Sequence, residues 1–235
     1  FGTFCPIAAS LPSTVINALA IVIGSLLGWK AGKLLSDKMS QTLVTVMAIV
    51  VFSIGIEMML QGRDHILLVI ISLVIGGVLG ELLNIEGFIG KIGTKLQQTI
   101  GSYLKGELAK GFVYGTLVYC IGPMAIIGAM EAGLNGNNEI LLAKAAIDGV
   151  TAIAFASTQG LGVLFSGGAV FIYQGLLTLG AKHLADVLAI AGPQLTATGG
   201  ILLMALGIKM LELKPVSVAN LLPALPIVAL LALIF

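Results

Sequence analysis

The sequence predicts an all-α integral membrane protein with about eight transmembrane helices, and three observations carry that expectation. The 235 residues are 58% hydrophobic but only 10% charged. Their mean hydropathy is +1.10. The 12 Lys+Arg and 11 Asp+Glu are gathered into clusters, with apolar runs between them. A water-soluble fold needs a charged shell, about a quarter of all residues in an average domain, and these charges cannot form one. A net charge of +1 offers no field to a polyanion. The expected partner is therefore the lipid bilayer, not nucleic acid.

Charge-free runs cover Phe1–Trp29, Met39–Ile56, Ile66–Gly80, Gly111–Met130, Gly149–Ala181, Val187–Ile208 and Pro215–Phe235. A crossing helix needs about 20 mostly apolar residues, so six of these runs hold one crossing each. The run Gly149–Ala181 has 33 residues, roughly 50 Å as a helix, and is too long for one. Ser166-Gly167-Gly168 within it reads as a tight turn, which divides it. The spans then fall near 13–31, 40–60, 65–83, 109–130, 143–165, 167–185, 194–213 and 216–235.

With eight crossings, Lys30, Lys33, Lys38, Lys91, Lys95, Lys105, Lys110, Lys209 and Lys214 lie on one face, against Arg63, Lys144 and Lys182 on the other. The lysine-rich face is expected to be cytoplasmic, which places both termini outside. The opening residues lack the basic region of a secretory signal. Between spans three and four, Phe88, Ile92, Leu96, Ile100, Tyr103 and Leu104 recur at helical spacing, with Lys91, Lys95, Gln98, Ser102 and Lys105 opposite. Residues 86–108 therefore read as an amphipathic helix on the membrane surface, either a plain connector or a regulatory element.

An offset of 152 aligns residues 15–83 with 167–235 without a gap. Ile54-Gly55-Ile56 falls on Leu206-Gly207-Ile208, and Gly28-Trp29-Lys30 on Gly180-Ala181-Lys182. Spans one to three would thus repeat as six to eight. Five crossings separate equivalent members, so the two copies would be inverted, an architecture that recurs in secondary transporters. The chain then divides into repeat one (13–83), the surface helix (86–108), a central two-helix pair (109–165) and repeat two (167–235).

Spans four and five resemble each other at an offset of 34: Ala109-Lys110 matches Ala143-Lys144, and Gly115 matches Gly149. Gly122, Pro123 and Met124 interrupt the first, because proline has no N–H to give the preceding turn. Ser157, Thr158 and Gln159 fall at the corresponding place in the second. Two helices broken at one depth would offer carbonyls and hydroxyls to an ion or small polar solute. The alternative is a simple kink, with the polar side chains bonding neighbouring helices. Asn17 and Gln174 are further polar residues inside spans, suited to inter-helix hydrogen bonds or to the same pathway. Lys144 and Asp148 share a helix face at i, i+4, with Glu131 on the same side. They read as an interfacial ion pair or as a charged vestibule, since an intramembrane aspartate requires a partner.

Stripes of small residues, Gly24, Gly28 and Gly32 in span one and Gly76 and Gly80 in span three, permit close helix contact inside the chain or in a homo-oligomer. Cys5 and Cys120 suggest no disulfide, and His65 and His183 have no metal-ligand spacing around them. No catalytic signature is present, so neither an enzyme nor a cofactor is expected.

The run Gly122-Pro123-Met124-Ala125-Ile126-Ile127-Gly128-Ala129-Met130-Glu131-Ala132-Gly133-Leu134, followed by Ala143-Lys144 and Asp148, resembles the bacterial multi-pass membrane family known as domain of unknown function 554. Ile16-Asn17-Ala18, Gly80-Glu81, Gly199-Gly200-Ile201-Leu202-Leu203 and Asn220-Leu221-Leu222-Pro223-Ala224 extend the likeness along the chain. The resemblance implies a bacterial inner-membrane protein, transporter- or channel-like, with no established substrate. The function expected is a small secondary transporter or channel for an ion or small polar solute. The alternative is a structural or accessory membrane subunit that moves nothing.

Overall fold

The computed structural model describes residues 6–88, 91 and 108–235, with side chains from Pro12 onward except that of Pro123. The expected surface helix at 86–108 lies almost wholly outside the described residues. The described regular structure is helical throughout: α1 (Pro6–Gly32), α2 (Asp37–Gln61), α3 (Ile66–Leu83), α4 (Leu108–Ile121), α5 (Pro123–Asn135), α6 (Glu139–Gln159), α7 (Gly162–Met210) and α8 (Ala224–Ile234). Short 3-10 turns occupy Arg63–His65 and Val218–Leu221. Among the described residues, five helices are long and apolar enough to cross a membrane, or six if α4 and α5, bent by 57° at their break, count as one span.

Local chemistry sets the breaks. Gly122 is extended (φ −62°, ψ 143°), and Pro123 takes the first position of α5, where its missing N–H costs nothing. Gly160 ends α6 at φ 74°, ψ −166°, a region open only to glycine. This places the hairpin in the long charge-free run at Gly160-Leu161, not at Ser166-Gly167-Gly168. Those three residues lie inside α7, where a Cβ on Gly167 would stand 3.0 Å from the Ala18 carbonyl oxygen. Small residues that suggest a turn in water here provide a smooth face for a neighbouring helix.

The interruption expected between residues 185 and 194 is also absent. Helix α7 runs for 49 residues and through Pro193. Its 49 residues are more than twice the ~20 that one crossing needs. Lys182 to Ala191 contains neither glycine nor proline, so nothing stops the helix before Gly192-Pro193, and it continues through that pair as well.

The chain forms two compact units, Phe1–Gln41 with Gly93–Ala185, and Thr42–Ile92 with Asp186–Phe235. In the first, α1 and α6 run parallel in backbone contact. A Cβ on Gly24, Gly28 or Gly32 would collide with the carbonyl oxygens of Gly149, Ile153 and Ser157 in turn. Helix α4 runs antiparallel to α6: Gly111 abuts the Gln159 carbonyl, and the Tyr119 ring meets Phe155 edge-on at 6.4 Å. The start of α7 returns along α1, with Gly167 against Ala18 and Val22.

In the second unit, α2 packs antiparallel on the later part of α7 with a reciprocal register. A Cβ on Gly55 would lie 2.6 Å from the Gly200 carbonyl oxygen and 2.7 Å from Met204. One on Gly207 would lie 2.9 Å from that of Ala48 and 2.8 Å from Phe52. Gly76 and Gly80 of α3 abut Ala224 and Asn220, and Val69, Ala197 and Val228 form a small core. A polar latch closes one end. Lys209 pairs with Glu86, which also accepts the Ala219 N–H at 3.1 Å, while Asn220 donates to Glu81 at 2.6 Å and accepts from the Glu86 N–H at 2.7 Å.

All five stripe glycines are thus used inside the chain, each within its own unit. Outward positions such as Leu27, Val74 and Val78 are apolar and more than half exposed, whereas Asn17, Ser72, Gln174 and Thr198 are fully buried. That inside-out distribution suits a hydrocarbon surround.

Candidate functional site

Among the described residues, the largest group of buried polar side chains lies in the first unit, among α1, α6 and α7. Two successive turns of α6 carry Lys144 and Asp148, and i, i+4 spacing puts both on the face turned toward α1. The Lys144 ammonium donates to Asp148 Oδ1 at 2.9 Å and Oδ2 at 2.7 Å. Both residues are buried, only 5% and 4% exposed. Asn17 of α1 donates through Nδ2 to Asp148 Oδ2 and to Gln174 Oε1 of α7, each at 3.1 Å. Ser13 anchors the start of this arrangement, donating to Asn138 at 2.6 Å just before α6 begins.

The network is incomplete. Asn17 Oδ1 and Gln174 Nε2 are buried with no hydrogen-bond partner, and so are the Thr14 and Thr178 hydroxyls. Thr14 precedes Asn17 by one turn on α1, and Thr178 follows Gln174 by one turn on α7. A buried polar atom left unmet costs about 1–3 kcal/mol, so four in one region point to unfinished business with water, an ion or a solute. Sequence reasoning passed over Thr14 and Thr178. Their signal was a hydroxyl one helical turn from an amide already singled out in an apolar helix.

The structure brings together Asn17, Lys144, Asp148 and Gln174 from the residues that the sequence nominated. It separates the two polar segments expected at one depth. Gln159 lies beside Gly111, near the start of α4, eleven residues or about 16 Å along the helix from Gly122. The antiparallel course of α4 instead carries its break toward the ion pair. Cys120, two residues before Gly122, is within electrostatic reach of both Lys144 and Asp148. Around Gly122 the space is open, since a Cβ there would meet nothing within 4 Å. Met124 is half-buried in the first turn of α5.

Ser157 and Thr158 are satisfied within α6. Ser157 donates to the Ala154 carbonyl at 2.8 Å, and Thr158 to those of Phe155 at 3.1 Å and Ala154 at 3.3 Å. Gln159 is half-buried at the hairpin. Glu131 of α5 accepts from Asn135 at 2.9 Å, one turn along its own helix. Among the described residues, no three His, Cys, Asp or Glu side chains converge as metal ligands.

The model of a family described as "Protein of unknown function (DUF554)" matches residues 12–233, nearly the whole chain. The chain belongs to this family. Its relatives include the uncharacterised membrane protein YdfK of Bacillus subtilis (strain 168), 31% identical over 90% of this chain and 91% of that one. The uncharacterised protein YqgA of Escherichia coli (strain K12) is 28% identical over 89% and 91%. No solved structure matches. The helices and the relatives together make this DUF554 member a helical membrane protein. All four residues of the buried network lie inside the matched region.

Proposed function

We propose that this protein is a small secondary transporter or channel for an ion or small polar solute. The observation that carries the reading is the Asn17–Asp148–Lys144–Gln174 network. Ionisable and amide side chains are placed, nearly solvent-free, inside apolar helices, and two of their polar atoms are left unmet. Such groups are expensive in a membrane interior and mark solute or ion routes more often than structure. The break at Gly122-Pro123 supplies loosened backbone near the same pair, in the way that discontinuous helices serve transporter sites.

The inverted repeat fits this reading. Residues 48, 52 and 55 correspond to 200, 204 and 207 at the offset of 152. The contacts of Gly55 with Gly200 and Met204 therefore exchange with those of Gly207 with Ala48 and Phe52. An antiparallel pair with such a self-matching register is related by a two-fold axis across the helices, the relation required of inverted copies. Eight crossings in a bacterial inner membrane, with both termini outside, agree with the directions of the packed pairs: α1 parallel to α6, and α4 antiparallel to it. Successive crossings of one bilayer run in opposite directions, so this topology requires a turn within α7 near Lys182–Asp186, where the described helix is continuous. An accessory subunit would have to pack through other surfaces, because these glycine stripes are filled within the chain.

Flux into proteoliposomes tests the reading. Ion or solute uptake by the wild type that is abolished in Asp148→Ala and Asn17→Leu is expected. No flux of any ion or small solute under any imposed gradient overturns it.

A further inference from the structure

The unmet atoms of the network have a specific relation to one another. Asn17 Nδ2 serves both the Asp148 carboxylate and Gln174 Oε1, which leaves Asn17 Oδ1 and Gln174 Nε2 without partners. Rotating both amides by a half-turn exchanges their nitrogen and oxygen positions. Asn17 Oδ1 then faces Asp148 and Gln174 Nε2, so it can accept from Gln174 and from a hydroxyl on Asp148. A carboxylate has no such hydroxyl; a carboxylic acid does. The two atoms stranded in one register are thus the partners required in the other, and each register strands one donor and one acceptor.

We propose that Asp148 is a proton-binding group, and that the Asn17–Gln174 amide pair switches hydrogen-bond register with its protonation. A hydronium ion transfers its proton to Asp148 Oδ2: one O–H bond of hydronium breaks, one forms on the carboxyl, and neutral water is left. The carboxylate charge is lost, and no electron is transferred. Lys144 stands five residues into α6, about 7.5 Å from Glu139, so its flexible stem lets the released ammonium move toward that end of the helix. The Asn17 amide turns with it, and Gln174 follows.

A proton suits this site better than a metal cation. A metal cation needs several vacant oxygen ligands, and Lys144 and Asn17 already engage both carboxylate oxygens, whereas a proton needs a single lone pair. Among the described residues, the other titratable groups within electrostatic reach of Asp148 are Tyr119 and Cys120 of α4; α7 brings Tyr173 near Cys120, and α1 contributes only the Asn17 amide.

The inference rests on this cluster being the working site of the transport reading, yet it can be tested without flux. Infrared difference spectra of the full chain in lipid, recorded as pH is lowered, should show a protonated-carboxyl C=O band. That band should be lost in Asp148→Asn and moved in frequency in Asp148→Glu, with circular dichroism confirming helix content. Side-chain amide bands should change at the same midpoint and vanish from the difference spectrum in Asn17→Leu and Gln174→Leu, a coupling that a merely structural role would not produce. A carboxyl band unchanged in both Asp148 variants, or amide bands indifferent to pH, overturns the proposal. Flux without this titration would remove the proton and leave transport; titration without flux would do the reverse.

Discussion

The Lys144 ammonium holds both oxygens of Asp148 one helical turn away on α6, where neither residue is more than 5% exposed. A pair this dry gains strong attraction but loses the hydration of both ions. Removing one partner strands the other charge. Lys144→Met and Asp148→Ala should each lower stability by about 3–5 kcal/mol, whereas the double variant Lys144→Met/Asp148→Leu should recover most of the loss. Unfolding in mixed detergent measures this, and a double variant as weak as the sum of the singles would contradict it. Uptake should be absent from all three, which separates the role of the pair in function from its effect on stability.

The glycines divide into those with a neighbour and those without. Gly28 lies against the Ile153 backbone, which cannot yield as a side-chain tip can. Gly28→Ala should cost about 1–3 kcal/mol by forcing α1 away from α6. Gly168 has nothing within 4 Å of a Cβ and sits inside α7. There Gly168→Ala should stabilise by about 0.5–1 kcal/mol through helix propensity. Thermal melts of the two variants should move in opposite directions.

Asn220 links Glu81 to the Glu86 backbone and lies beside Gly80. Asn220→Ala removes a donor and an acceptor from a half-buried latch and should cost about 1–3 kcal/mol. Asn220→Asp should be worse, since it sets a third carboxylate beside Glu81 and Glu86. Detergent melts rank the two, and an Asp variant as stable as wild type would show the latch to be dispensable.

The topology has a direct readout. In a chain with Cys5 and Cys120 replaced by serine, cysteines at positions 183 and 186 should react with a membrane-impermeant maleimide. Those at 176 and 201 should be protected. Protection at all four would mean that α7 does not meet water between its two apolar stretches, and the eight-crossing reading would fail.

Much of this was legible in the residues. Charge spacing gave the extents of α2 and α3 to within a few residues, because a charge inside hydrocarbon costs too much to be placed casually. The Lys144–Asp148 pair followed from i, i+4 spacing. Gly122-Pro123 announced a break because proline's missing N–H is a local fact. The hairpin at Gly160 was misread as one at Ser166-Gly167-Gly168, since composition alone cannot tell a glycine that must turn from one that must pack.

Composition and spacing alone established a helical membrane chain and its apolar segments, and named Asn17, Lys144, Asp148 and Gln174 among eleven candidate residues. Only packing could bring Asn17 and Gln174 onto Asp148, carry the α4 break toward the ion pair and away from Ser157–Gln159, and spend the glycine stripes within the chain. The physical reason is range. Charge, proline and helical period act over a turn or two of one helix, whereas partners 131 and 157 residues away are chosen by the way helices meet.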